Sequence, residues 1–95
     1  MKQMTAKEVE ASLKDLTVID VREPDETAAG KIPGAITIPL GLLEFRMHEL
    51  DKTKEYTMVC RSGGRSGRAA QFLESQGFKV INMTGGMLEW EGKTE

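Results

Sequence analysis

Leu16-Thr17-Val18-Ile19-Asp20-Val21 is a nearly continuous run of β-branched and apolar residues, and it constrains the fold more than any other stretch. A strand with one wet face alternates apolar with polar residues. A run without that alternation must be covered on both faces, as parallel strands packed between helices are. Three further runs read as strands: Ala35-Ile36-Thr37-Ile38, closed by Pro39, Tyr56-Thr57-Met58-Val59, and Phe78-Lys79-Val80-Ile81-Asn82-Met83. The residues before Thr5 add a possible short edge strand.

Helical patterns fill the intervals. Thr5-Ala6-Lys7-Glu8 is a capping box, predicting a helix from Ala6 to Lys14 with Val9 and Leu13 on one face. Pro24-Asp25-Glu26-Thr27-Ala28-Ala29 has Pro in its first turn and acids near its N-terminus, and Gly30 stops it. Leu40 to Leu50 is predicted helical, with Leu43, Met47 and Leu50 facing the core. Gly67 to Gln76 is another helix, ended by Gly77, and Gly85-Gly86 turn the chain into a last helical turn over Met87-Leu88-Glu89-Trp90. The alternation predicts an α/β fold, a three-layer α/β/α sandwich with a mostly parallel sheet of four or five strands. The 95 residues predict one domain, 1–95.

Composition then removes several function classes. A net charge of -2 argues against a general nucleic-acid binder, which would be basic. No apolar run approaches the ~20 residues of a membrane span, and Met1 to Lys7 lacks the apolar core of a signal peptide. One cysteine cannot form an internal disulfide, and no Cys/His cluster offers metal ligands. The expectation is a small cytoplasmic monomer with no cofactor, no metal, no nucleic acid and no membrane partner.

Chemistry concentrates in Cys60-Arg61-Ser62-Gly63-Gly64-Arg65-Ser66, placed between a strand and a helix. Open α/β sheets put their ligand sites at such strand ends. A free thiol, with a pKa of ~8.5, is mostly protonated at neutral pH, whereas the thiolate is the nucleophile. The free N–H groups and positive end of the following helix, the charges of Arg61 and Arg65, and a Gly63-Gly64 backbone able to fold its amides inward all favour a thiolate and any anion it meets. A cysteine elsewhere in a strand would be read as a structural core residue. Here its flanks favour a reactive one, with Arg61, Ser62, Gly63, Gly64, Arg65 and Ser66 as the substrate-binding loop.

Other chemical residues have blander readings. Asp20 or Glu23 could serve as a catalytic carboxylate at the same sheet edge. Alternatively, they pair with Arg22 or cap the helix after Pro24, the reading favoured because charges at strand ends are usually paired. His48 lies off the apolar stripe of its segment and reads as a surface residue, and Trp90 reads as a core plug.

The chain resembles the single-domain rhodaneses, the thiosulfate sulfurtransferase-like family. The resemblance runs from about Thr5 to Trp90: the Thr5-capped helix, Asp20-Val21-Arg22-Glu23, Gly30-Lys31-Ile32-Pro33-Gly34-Ala35-Ile36, the Cys60 to Ser66 loop, and Gly77-Phe78 through Gly85-Gly86-Met87 to Trp90. Lys31 departs from the family, many members of which carry His there. The resemblance implies that Cys60 takes the outer sulfur of thiosulfate as a persulfide and passes it to a thiophile such as cyanide, a cellular thiol or an acceptor protein. Arg61 and Arg65 would hold the sulfonate end. Related mercaptopyruvate enzymes have uncharged residues there, so two arginines point to a dianionic donor. Two alternatives stand beside this reading. A cysteine phosphatase or arsenate reductase of related fold would have five residues between Cys and Arg, whereas four separate Cys60 from Arg65, a smaller bowl suited to a single sulfur. A non-enzymatic rhodanese-like binding module would lack the cysteine.

Overall fold

The computed structural model describes residues 1–95. The elements follow the order β1 (Lys2–Thr5), α1 (Ala6–Ala11), a 3-10 turn (Leu13–Asp15), β2 (Thr17–Asp20), α2 (Pro24–Ala28) and β3 (Ile36–Thr37). A second 3-10 turn (Leu40–Leu42), α3 (Leu43–Arg46) and a third 3-10 turn (Met47–Glu49) come next. The chain ends with β4 (Glu55–Val59), α4 (Gly64–Ser75), β5 (Lys79–Thr84) and a 3-10 turn (Gly86–Glu89).

All five strands are parallel, in the order β1-β5-β4-β2-β3. Both faces of the central strands are covered, as the run from Leu16 requires. On one face Ile19, Tyr56, Met58 and Val80 pack with Ala69, Ala70 and Leu73 of α4, Leu43 of α3, and Phe78. On the other, Val18, Val59 and Met83 pack with Ala6 and Val9 of α1 and with Ile32 and Ala35 from the β2–β3 connection, with Trp90 partly buried against them. Burying apolar area on two separate faces drives the sandwich. The expected edge strand forms as β1.

Three helix boundaries differ from expectation. α1 stops at Ala11, and the chain tightens into a 3-10 turn, with the Ser12 N–H shared between the carbonyls of Glu8 and Val9. The Leu40–Leu50 segment is not one helix but a short α-turn between two 3-10 turns. Gly41 lowers its helix propensity and its length barely exceeds a nucleus, so docking Leu43 into the core decides its path. α4 begins at Gly64, three residues earlier than predicted, because the Gly67 N–H closes a first turn onto the Gly63 carbonyl at 3.0 Å. Its C-terminus matches expectation. Phe78 N–H bonds to Leu73 O and Gly77 N–H to Glu74 O, both at 3.0 Å, in a Schellman cap.

The topology fixes where a ligand can sit. The connection leaving β2 crosses one face of the sheet, and α4, leaving β4, covers the other. Adjacent strands whose connections diverge open a crevice at their C-terminal ends. Register pairs Asp20 with Val59, so Val21-Arg22-Glu23 and the Cys60 loop leave the sheet side by side at that crevice.

Candidate active site

Cys60 follows the last residue of β4 and is 1% exposed. The chain turns through Arg61 and Ser62 to Gly63, whose φ of 104° places it in the left-handed region as the N-cap of α4. That conformation is open to glycine and strained for other residues. It turns the Gly63 N–H back onto the Cys60 Sγ at 3.0 Å. The thiol pKa is the outcome of opposing effects. Burial pushes it up, but the Ser66 hydroxyl and the N–H groups of Ser66, Gly63 and Ser62 prevail and hold it below the ordinary thiol value. The early start of α4 contributes here, since Ser66 belongs to its first turn and the backbone donors around the sulfur include that turn.

The loop is braced from beneath. Ser66 is fully buried, and its hydroxyl lies 2.6 Å from the Asn82 Oδ1 and 3.3 Å from the Gly63 carbonyl. The Asn82 Nδ2 reaches the same carbonyl at 3.4 Å. From the side, Met87 N–H donates to Cys60 O at 2.9 Å and Leu88 N–H to Arg61 O at 3.0 Å. These bonds require the Gly86 backbone to lie against the loop. A Cβ on Gly86 would sit 2.4 Å from the Arg61 carbonyl oxygen and 2.6 Å from that of Cys60.

The two arginines have different environments. Arg61 is exposed and makes no ion pair. Arg65 is tied to Glu26 of α2 by two hydrogen bonds, Nη1 to Oε1 at 2.7 Å and Nη2 to Oε2 at 2.8 Å. Glu26 Oε1 also accepts the Glu23 N–H at 3.0 Å. The Arg65 bonds, aided by that N–H and working against desolvation, lower the Glu26 pKa to about 2. The same bonds hold Arg65 charged, with the Cys60 sulfur adding its attraction.

At the β2 end the structural reading of Asp20 prevails. The carboxylate is fully buried and both oxygens are taken by Arg22, with Nη2 to Oδ2 at 2.8 Å and Nε to Oδ1 at 3.0 Å. Arg22 also donates to the carbonyls of Gly30 and Glu26, anchoring α2 to the sheet. Glu23 is exposed at the N-cap of α2. Lys31, the departure from the family pattern, donates to the Ala35 carbonyl and pairs with Glu95. His48 is exposed, as expected.

The structure thus turns the Gly63 N–H onto the Cys60 sulfur, ties Ser66 to the same turn through the Gly63 carbonyl, and adds three residues that sequence reasoning missed as site residues: Glu26, Asn82 and Gly86. Asn82 left a signal, as the amide in an otherwise apolar strand. The surface depressions, which reach about 380 Å³ beside Phe45 and His48, are not lined by Cys60.

Comparison with known proteins agrees with this geometry. Residues 5–93 match the family model described as a rhodanese-like domain. The chain is 49% identical to "Putative sulfurtransferase YtwF" of Bacillus subtilis over 86% of this chain and 80% of that protein. It is 40% identical to the "Sulfurtransferase" of Allochromatium vinosum over 84% of this chain and 76% of that one. The crystal structure of SSP1007 from Staphylococcus saprophyticus is similar with a TM-score of 0.94 at 36% identity, covering 100% of this chain and 99% of that chain. The strand, the amide-lined cysteine turn and the match over nearly its whole length place this chain in the rhodanese-like family.

Proposed function

We propose that the protein is a sulfurtransferase that carries sulfane sulfur on Cys60, accepting it from thiosulfate or a related persulfide donor and yielding it to a thiophile such as cyanide, a cellular thiol or an acceptor protein. The observation that supports this reading is the Gly63 N–H directed onto the Cys60 sulfur at 3.0 Å, in a turn whose Ser62 and Ser66 neighbours help hold the thiol pKa below its ordinary value.

The chemistry balances without an outside oxidant or reductant. The Cys60 thiolate attacks the outer sulfur of thiosulfate, a new S–S bond forms, and sulfite leaves with the pair of the broken bond. The cysteine then bears a persulfide anion. A cyanide ion attacks the terminal sulfur, thiocyanate departs and the thiolate returns, a covalent two-step path. Preformed amides suit a negative charge that persists on sulfur through both steps, in the manner of an oxyanion hole. Arg61, which has no carboxylate partner, supplies positive charge to an incoming anionic donor, while Arg65 is paired with Glu26.

The test is Cys60→Ser, which removes the sulfur carrier with little change in volume. Thiocyanate formation from thiosulfate and cyanide is expected to be lost while the circular dichroism spectrum is retained. Turnover by the folded variant would refute Cys60 as the carrier.

A further inference from the structure

Two loop arginines suggest a site built for a dianion, but only one of them is free. Arg61 has no carboxylate partner, whereas Arg65 is gripped through both terminal nitrogens by Glu26 at 2.7 and 2.8 Å. A bidentate arginine–carboxylate pair is among the strongest and best oriented contacts available to these side chains. Glu26 is itself held. Its Oε1 accepts the Glu23 N–H, and Arg22, paired with buried Asp20, donates to its backbone carbonyl. The carboxylate therefore projects from an anchored helix across the crevice onto Arg65, in the first turn of α4. An anionic donor approaching Arg65 meets a cation already neutralised, beside a second negative charge on Glu23.

We propose that Glu26 determines donor specificity: by compensating Arg65, it leaves the Cys60 loop with the charge of Arg61 alone and selects sulfane-sulfur donors whose reacting end carries at most one negative charge, such as a thiol persulfide, over free thiosulfate. This rests on the sulfur-transfer reading above. With a persulfide R–S–SH, the Cys60 thiolate attacks the outer sulfur, a Cys60–S–SH bond forms, and R–S⁻ leaves with the bonding pair. The reacting end enters neutral and the single negative charge of the Cys60 thiolate leaves on R–S⁻, so no second cation is needed.

The test compares thiosulfate with methanethiosulfonate, which delivers the same outer sulfur from a sulfonyl centre but carries a methyl group in place of one charged oxygen. Glu26→Gln keeps the side-chain shape and an oxygen for the Glu23 N–H while removing the charge. The ratio of kcat/KM for thiosulfate to kcat/KM for methanethiosulfonate is expected to rise about three- to tenfold in Glu26→Gln, the size of one charge–charge interaction at a few ångströms in a half-exposed site. It should return toward the wild-type value in Glu26→Asp, which keeps the charge. The rise should also shrink at high ionic strength. A variant that merely disturbed the site would lower both rates together and leave the ratio unmoved. A ratio that stays constant or falls in Glu26→Gln overturns the proposal. Mass spectrometry keeps the two readings apart. A one-sulfur increase on Cys60 after either donor shows that the carrier step operates whatever the ratio does, and its absence with both donors refutes the sulfur-transfer reading itself.

Discussion

Gly86→Ala tests whether the reactive turn is held in shape by the chain packed against it. The new methyl would sit 2.4 Å from the Arg61 carbonyl oxygen and 2.6 Å from that of Cys60. Both are backbone atoms, so no side-chain rotation relieves the clash. Gly86 also has a φ of 59°, a left-handed conformation that costs a residue with a Cβ roughly 1–2 kcal/mol. If the 3-10 turn moves away, the bonds from Met87 N–H to Cys60 O and Leu88 N–H to Arg61 O weaken or break, at about 1 kcal/mol each. The sum is about 3 kcal/mol, which for a domain of this size lowers Tm by roughly 12–24 °C. Gly64→Ala is the matched control. It lies in the first turn of α4, a Cβ there meets nothing within 4 Å, and reduced chain entropy is expected to raise stability by about 0.4–1 kcal/mol. Thermal melts followed by circular dichroism report the first effect. The pH profile of Cys60 alkylation by iodoacetamide reports the second, because loss of the amides around the sulfur moves the thiol pKa up toward its ordinary value. A Gly86→Ala protein that melts within about 4 °C of wild type, a stability change of about 1 kcal/mol, would refute the bracing argument.

Two other perturbations follow from the same contacts. Asn82→Leu leaves the buried Ser66 hydroxyl without its partner at 2.6 Å and the Gly63 carbonyl with fewer donors, so the urea midpoint should fall by the equivalent of about 1–3 kcal/mol; an unchanged midpoint would mean that the bond contributes nothing net. The ion pair predicts an acid-side effect, since the Glu26 pKa is depressed in the fold to about 2 from 4.5. Its stabilisation is complete above the unfolded value and lost as pH falls through the folded one, so urea midpoints of wild type and Glu26→Gln should converge between about pH 4.5 and about pH 2, and a constant gap across that window would count against the pair.

The fold was legible because its main determinants are local. The run from Leu16 to Val21 and that from Tyr56 to Val59 lack the alternation of half-wet strands, and Val18 to Val21 and Tyr56 to Val59 lie buried in the sheet centre. The Thr5–Glu8 capping box forms with both of its hydrogen bonds. Where the reading failed, tertiary contacts outweighed propensity. Leu40 to Leu50 carries helical spacing, but three core residues in a short segment with Gly41 do not propagate a regular helix, and the chain follows the docking of Leu43 instead. α4 starts early because the Gly63 carbonyl accepts from Gly67 N–H, a bond that helix-start patterns based on polar caps do not anticipate.

The candidate site divides along the same line. Cys60 and the glycines of its turn are contiguous in sequence, so their likeness to a family loop and the physical case for a thiolate could be read together. Glu26 is 39 residues from Arg65 and Asn82 is 16 from Ser66, and no local pattern records that they meet. That gap alters the chemistry inferred. In the sequence, Arg61 and Arg65 count as two free charges and argue for a dianion. In the fold, a carboxylate anchored by the Asp20–Arg22 pair claims one of them, because β2 and β4 are neighbours whose connections diverge and whose ends stand level. The carboxyl end of β2 therefore shapes this site through the Asp20–Arg22 pair, which anchors the helix whose Glu26 carboxylate holds Arg65.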